Sequence, residues 1–460
     1  MIFVAVYGPP FVIFMAPALI NGFPLVYSDS GTYLVTAIIG RIPPDRPIYY
    51  SLFLLPLHWR TNLWLPIAAQ AAITIAVLDI FLRRTCPALS RFQLALQLCC
   101  LAGLTSLPFF ASQIMPDIFT PLMILSLCIL IFRPLDVTAG ERLFLYAVFL
   151  ASLCFHQANF LLAIMTLVFA LPCRWLFDGG WNRIVRQSLA PGSLLVLGMG
   201  LLLMPNYLVH HELVIARGNG IFLLAKLLDD GPGLDYLEAK CRIQRYSICS
   251  QVPAIRQHQE AVSSMQTSTS TMTWFLWSGP REAAGDWDGL APYASSVALT
   301  AILDEPGRFV LASLRGFAHQ LVLFGTGDGL VVYGPNTLIS LVLRNFFPSD
   351  VNQSYLTSLQ QTGRLNLAII SDLHKMIVII SLLLIMSLIV DVLRSERTLG
   401  AIASTLLFAL IANAAITGAL SDPIDRYQSR ISGLVVVAAM TLVYASRFRR
   451  PNDKNLAQST

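Results

Sequence analysis

The chain has 460 residues, of which 55% are hydrophobic and only 12% charged, with a formal net charge of +5. Soluble domains carry about 25% charged residues, so this composition, with a mean hydropathy of +0.66, excludes a soluble globular protein and specifies a polytopic membrane protein. The positive balance is not a nucleic-acid footprint, because the arginines sit at the ends of apolar segments, where membrane topology places them.

Helical spans need roughly 17–25 mostly apolar residues. In chain order they are predicted at 3–20, 63–82, 93–111, 118–132, 143–157, 158–173, 188–206, 373–391, 399–418 and 430–446. The first lacks a basic leader and a small-residue cleavage site, so it is read as a retained helix. Residues 21–50, NGFPLVYSDSGTYLVTAIIGRIPPDRPIYY, are too polar and too broken by Gly and Pro to cross. Arg83, Arg84, Arg91, Arg133, Arg142, Arg174, Arg183, Arg186, Arg394, Arg397, Arg447, Arg449 and Arg450 fall in alternate connections, whereas the opposite short loops hold only Arg426. By the positive-inside rule both termini are cytoplasmic and the 21–50 loop faces outward.

This topology divides the chain into an N-terminal membrane module (1–206), an outer insert (207–372), C-terminal membrane helices (373–446) and a cytoplasmic tail (447–460). Within the insert, the apolar runs 306–325 and 330–347 are read as interfacial or re-entrant helices, because Arg315 and His319 interrupt the first. If both runs cross, the spans number twelve; if neither does, ten. Cys241 and Cys249, eight positions apart in the insert, are expected to form a disulfide on an oxidising face. The six remaining cysteines lie in or beside spans as small packing residues. No internal repeat is apparent.

Candidate chemistry gathers in the outward loops. Asp29 stands among Ser28, Ser30, Thr32 and Tyr33; it is either a helix N-cap or a carboxylate presented to the lipid headgroup layer. Asp117 is the single charge of the loop between the third and fourth spans, and is either a cap or a second acid able to share acid/base work or a divalent ion with Asp29. Arg46 follows the rigid Pro43-Pro44-Asp45 segment and suits a phosphate through its two-pronged guanidinium. Tyr49 and Tyr50 either contact substrate or anchor the interface. His156 and Gln157 form an uncharged polar turn that bonds between helices or lines a cavity. In the last outward loop, Arg426 and Arg430 lie one helical turn apart beside Tyr427, facing either a phosphate or an internal ion-pair network with Asp422 and Asp425. Asp79, one turn before Arg83, is read as a structural pair.

At these residues the chain resembles the GT-C type glycosyltransferases, polytopic enzymes that use polyprenyl-phosphate sugars as donors. The resemblance covers most of the chain and rests on YSDSGTY, DRPIYYSLF, MPD and DRYQSR. Ser28 and Ser30 stand where many relatives pair acids in the first loop. The resemblance implies an all-α fold of 10–12 transmembrane helices with a periplasmic insert, in a bacterial inner membrane. It also implies Asp29 as the general base, with Arg46, Arg426 and Arg430 on the lipid phosphate. The implied partners are membrane lipid, a polyprenyl-phosphate-linked sugar donor, and a glycan, lipid or protein acceptor; no cofactor is required beyond a possible divalent metal. The competing readings are a transporter or flippase and a non-catalytic envelope-assembly protein. Polar residues collected on one face, with almost no charge in mid-span, favour the enzyme.

Overall fold

The computed structural model describes residues 2–178 and 180–447, and every regular element among them is helical. From the N-terminus they are α1 (Ile2–Asn21), α2 (Ser30–Ile39), α3 (Tyr49–His58), α4 (Trp64–Thr85), α5 (Arg91–Leu104) and α6 (Leu107–Ala111). A 3₁₀ turn at Pro116–Ile118 leads into α7 (Phe119–Phe132), then α8 (Ala139–Phe155), α9 (Gln157–Asp178) and α10 (Trp181–His210). The middle of the chain folds as α11 (Asn219–Asp230), α12 (Pro232–Lys240), α13 (Val252–Ser263), α14 (Thr271–Trp277), α15 (Pro280–Ala283), α16 (Asp286–Asp304) and α17 (Pro306–Val322). Two short helices, α18 (Leu338–Phe346) and α19 (Ser349–Thr357), precede α20 (Ala368–Ser395), α21 (Arg397–Leu420) and α22 (Asp425–Arg447). The side chain of Arg183, together with Arg449, Arg450 and the rest of the tail after Arg447, lies outside the described residues.

Among the described residues, six helices are long and apolar enough to cross a membrane: α4, α9, α10, α20, α21 and α22. The protein is thus an α-helical, multi-pass membrane protein. The predicted span at 93–111 is broken into α5 and α6 at Thr105 and Ser106, with Pro108 opening the second piece. Every residue of α7 is buried. Its apolar character on all sides therefore reflects a position inside the bundle rather than a face toward lipid.

Local sequence explains where several helices begin and end. Ser90 and Thr138 close capping boxes with Gln93 and Glu141 at the starts of α5 and α8. Gly40, at φ 65°, takes the left-handed conformation that ends α2. At the end of the bundle where α4 finishes and α8 starts, Arg83 pairs with Asp79 at 2.6 Å and with Glu141 at 3.0 Å, while Arg84 reaches Glu141 at 2.5 Å. Tyr7 donates to Asp79 at 3.0 Å, so α1 joins the same network.

At the other end, the first long loop is clipped to the loop before α7. Leu25 N donates to Ser112 O and Ile114 N to Leu25 O, both at 2.9 Å, and the buried Ser30 hydroxyl donates to Ile114 O at 2.9 Å. Gln360 holds the same loop from the far part of the chain, its amide bonding both Val26 N and Val26 O. These ties carry Asp29 and Asp117 to one place.

The stretch between α10 and α20 contributes to two hydrophobic cores. Residues from Ile221 to Ala301 build a separate core with Leu224, Phe275 and Leu290 at its centre. Tyr333, Ile339, Leu343 and Tyr355 instead join the core of the long helices. Between the two, α17 packs along α21, with Gly316 and Gly418 in backbone contact: a Cβ added at Gly316 would come within 2.1 Å of Gly418 O. Cys241 and Cys249 are disulfide-bonded, with Cα atoms 5.6 Å apart.

Candidate active site

Asp29 is the residue before α2, where Ser30, Gly31 and Tyr33 are buried by the packing just described. It occupies the N-cap position, yet its side chain makes no capping bond. Its carboxylate is turned instead toward two guanidiniums: Oδ1 accepts from Arg46 Nη2 at 3.1 Å, and Oδ2 faces Arg426 Nη1 at 3.8 Å. Asp117, in the 3₁₀ turn, also caps nothing. Its Oδ1 lies 3.4 Å from Arg426 Nε and accepts from Arg430 Nη1 at 3.2 Å, and its Oδ2 is buried without a hydrogen-bond partner.

Five charges therefore alternate along a line: Arg46, Asp29, Arg426, Asp117, Arg430. Exposure falls inward, with the Asp29 side chain 25% exposed, Arg46 11%, Arg426 7%, and Asp117 and Arg430 essentially buried. At the inner end Arg430 donates to Asn413 Oδ1 at 3.1 Å and lies 3.3 Å from His156 Nε2. Arg430 has only donors to offer, so His156 must present a lone pair there.

Each cation is also held by its neighbours. Arg46 is bonded to Asp45 through Nε at 3.0 Å and through Nη2, and its carbon lies 5.0 Å from the Tyr33 ring centre; its Nη1 is buried without a partner. Arg426 lies 4.2 Å over the Tyr27 ring. Gly329, at φ 72°, packs against that ring, leaving no room for a side chain. Tyr427 flanks both Arg426 and Arg430, its ring centre 5.6 and 5.5 Å from their guanidinium carbons.

Burial pushes the Asp29 carboxyl upward, but the Arg46 guanidinium, and after it Arg426, holds it below the usual carboxylate range. Burial likewise opposes ionisation of Asp117, and Arg426 followed by Arg430 overcomes it. His156, in the turn between α8 and α9, is pushed down to about 3 by burial and then by Arg430. Two carboxylates and a neutral imidazole are the states at neutral pH.

Of the residues singled out from sequence, the structure brings together Asp29, Arg46, Asp117, His156, Arg426, Tyr427 and Arg430. Gln157 is adjacent in the chain at the start of α9, with a buried Oε1 that has no partner. Tyr49 and Tyr50 are not at the cluster. The Tyr49 hydroxyl donates to Leu201 O at 2.5 Å, and Leu201 is the residue whose carbonyl Pro205, four positions on in α10, leaves unpaired. Tyr50 is fully buried, donating to Gln70 Oε1 at 2.7 Å, with Tyr33 packed on its ring at 5.0 Å.

The sequence reading passed over Tyr27, Asp45 and Asn413. Asn413 had a usable signal, an amide inside the apolar run of α21. A divalent ion shared by Asp29 and Asp117 does not fit, because Arg426 stands between the two carboxylates. No group of three or more metal-binding side chains occurs among the described residues. The chain matches no family model, no curated protein and no solved structure.

Proposed function

We propose that this protein is an integral-membrane glycosyltransferase that moves a sugar from a polyprenyl-phosphate donor to a glycan, lipid or protein acceptor. In this reading the enzyme is GT-C-like, with the Asp29 end of the bundle on the outer face of a bacterial inner membrane. The supporting observation is the position of Asp29, the most accessible of the five charges, between the guanidiniums of Arg46 and Arg426.

The proposed reaction uses that geometry. An acceptor hydroxyl beside Asp29 attacks the anomeric carbon of the donor, forming the new C–O bond with inversion. The bond from carbon to phosphate oxygen breaks, and the electron pair leaves on the lipid phosphate. The hydroxyl proton passes to Asp29. Arg46 and Arg426 neutralise the phosphate, so no acid catalyst is needed for the leaving group. A carboxylate held below its usual range is a weak base at rest. An arriving phosphate competes with it for the same two arginines, and the attacking hydroxyl becomes more acidic as its bond to carbon forms. Arg46 Nη1, buried and unpartnered, is a ready donor to that phosphate.

One observation favours a second reading. Asp117 and Arg430 are almost fully buried and paired to each other, as the inner part of a structural network in a non-catalytic envelope-assembly protein would be. Membranes carrying the wild type, supplied with several extracted polyprenyl-phosphate sugars, decide between them. The transferase reading expects labelled sugar on an acceptor and, for Arg46→Gln, a loss of about 10²-fold. No transfer from any donor would leave the assembly reading standing.

A further inference from the structure

A cleft of about 420 Å³ lies away from the Asp29 cluster, between the last turns of α11 and the middle of α17. Its volume is within the roughly 300–1,000 Å³ of small-molecule sites. Lys226, Asp229 and Asp230 line one wall; Arg315, Gly316 and His319 line the other. The α11 wall is built rather than incidental. Lys226 Nζ bonds Asp230 Oδ1 at 2.7 Å with only 5% and 10% of the two side chains exposed, and Asp230 Oδ2 is buried without a partner. An acceptor left unsatisfied there is costly unless a ligand meets it. Burial pushes the Asp230 and Asp229 carboxyls above their ordinary range.

The chemistry of the walls limits what fits. Two carboxyls face one Lys and one Arg, so the formal charges of the lining balance and favour a neutral ligand. Acceptors at Asp229 and Asp230, with donors at Lys226 beside them and Arg315 opposite, match groups that donate and accept at neighbouring positions, as vicinal hydroxyls do. Gly316 rests its backbone on Gly418, which fixes the α17 wall against α21. The cleft is also tied to the cluster. Asp229 Oδ1 accepts from Thr271 N at 2.7 Å; Ser270 and Thr273, on either side, donate to Asp422. Asp422 is four residues before Arg426.

We propose that this cleft binds the neutral, polyhydroxylated saccharide portion of the acceptor, with Asp230 Oδ2 accepting from a sugar hydroxyl and Arg315 donating from the facing wall. The role as acceptor site rests on the transferase reading; the binding itself does not. Hydrogen–deuterium exchange of the full chain in nanodiscs, with lactose, cellobiose, chitobiose and mannobiose as probes and inorganic sulfate as the control, tests it. At least one disaccharide should slow exchange over 226–231 and 312–319. The exposed Arg315→Ala should weaken that protection about tenfold, one hydrogen bond's worth, as should Asp230→Asn, whereas Asp29→Asn should bind as the wild type does. Protection by sulfate alone, by no disaccharide, or equally in Arg315→Ala and Asp230→Asn overturns the proposal. Sugar protection without any transfer would instead count against the transferase reading and leave the cleft intact.

Discussion

Asp29 and Asp117 carry the same charge and share Arg426, yet their substitution should have opposite signatures. Asp29 is partly exposed, and losing such an ion pair costs about 0–1 kcal/mol. Asp117 is buried between Arg426 and Arg430, so Asp117→Asn leaves the buried Arg430 without a carboxylate and Arg426 with Asp29 at 3.8 Å, and should destabilise by about 3–5 kcal/mol. Melting of the solubilised variants should separate them, with Asp29→Asn close to wild type and Asp117→Asn well below. The pH dependence has a definite sign as well. Both carboxyls are held below their ordinary range, so their stabilisation is present above about pH 4 and is lost only as pH falls further. His156 is neutral in the fold and pushed down to about 3, so charging it opposes folding as soon as pH drops below the unfolded value of about 6.5. The cost reaches on the order of 2 kcal/mol by pH 5. The buried His58, pushed down to about 4, adds to it. The melting temperature should therefore begin to fall near pH 6.5, and His156→Gln should flatten part of that decline; an unchanged slope would contradict the assigned neutral state.

Among the elements, α10 shows how a tyrosine's role is set by a residue far along the chain. Tyr49 closes the carbonyl that Pro205 leaves open across a separation of 152 residues. Tyr49→Phe should cost about 1 kcal/mol, seen as faster amide exchange around Leu201, with no change in transfer; reduced donor affinity would return Tyr49 to the site. The same distance limits what sequence can disclose. The positions of α1, α4, α7, α9, α20, α21 and α22 were legible because apolar runs mark them, but α9, α20 and α22 extend four or five residues past the predicted spans at one or both ends, where polar and charged residues continue the helix. Asp29, Asp117, Arg426 and Arg430 were legible as charges in short connections between such runs. Their meeting was not, because it depends on clips such as Ser30 to Ile114 and on a contact between Asp117 and Arg430 spanning 313 residues. The division of the 207–372 stretch between two cores was hidden for a related reason: α18 and α19 are short, and only their packing on the long helices assigns them.

At the scale of the whole molecule, the charged networks separate to the two ends of the bundle. The arginines of the Arg83–Arg84–Glu141 network, Arg394 and Arg397 at the junction of α20 and α21, and Arg447 at the end of α22 lie at one end; Asp29, Arg426 and the disulfide-bonded insert lie toward the other. If the Asp29 end faces an oxidising exterior, Cys241 and Cys249 should resist alkylation by a membrane-impermeant maleimide until reductant is added, and a cytoplasmic reporter should be active when fused after Arg447. The reverse pattern would invert the topology and place the cluster on the wrong side for an outer-face transferase. The central claim, that chemistry occurs at the exposed edge of this ion-pair line, is tested most directly by sugar transfer in membranes bearing Asp29→Asn beside the wild type at matched protein levels. Loss of transfer by about 10²–10⁴-fold with normal stability is the expected result. Transfer undiminished in Asp29→Asn would contradict it and reduce the cluster to architecture.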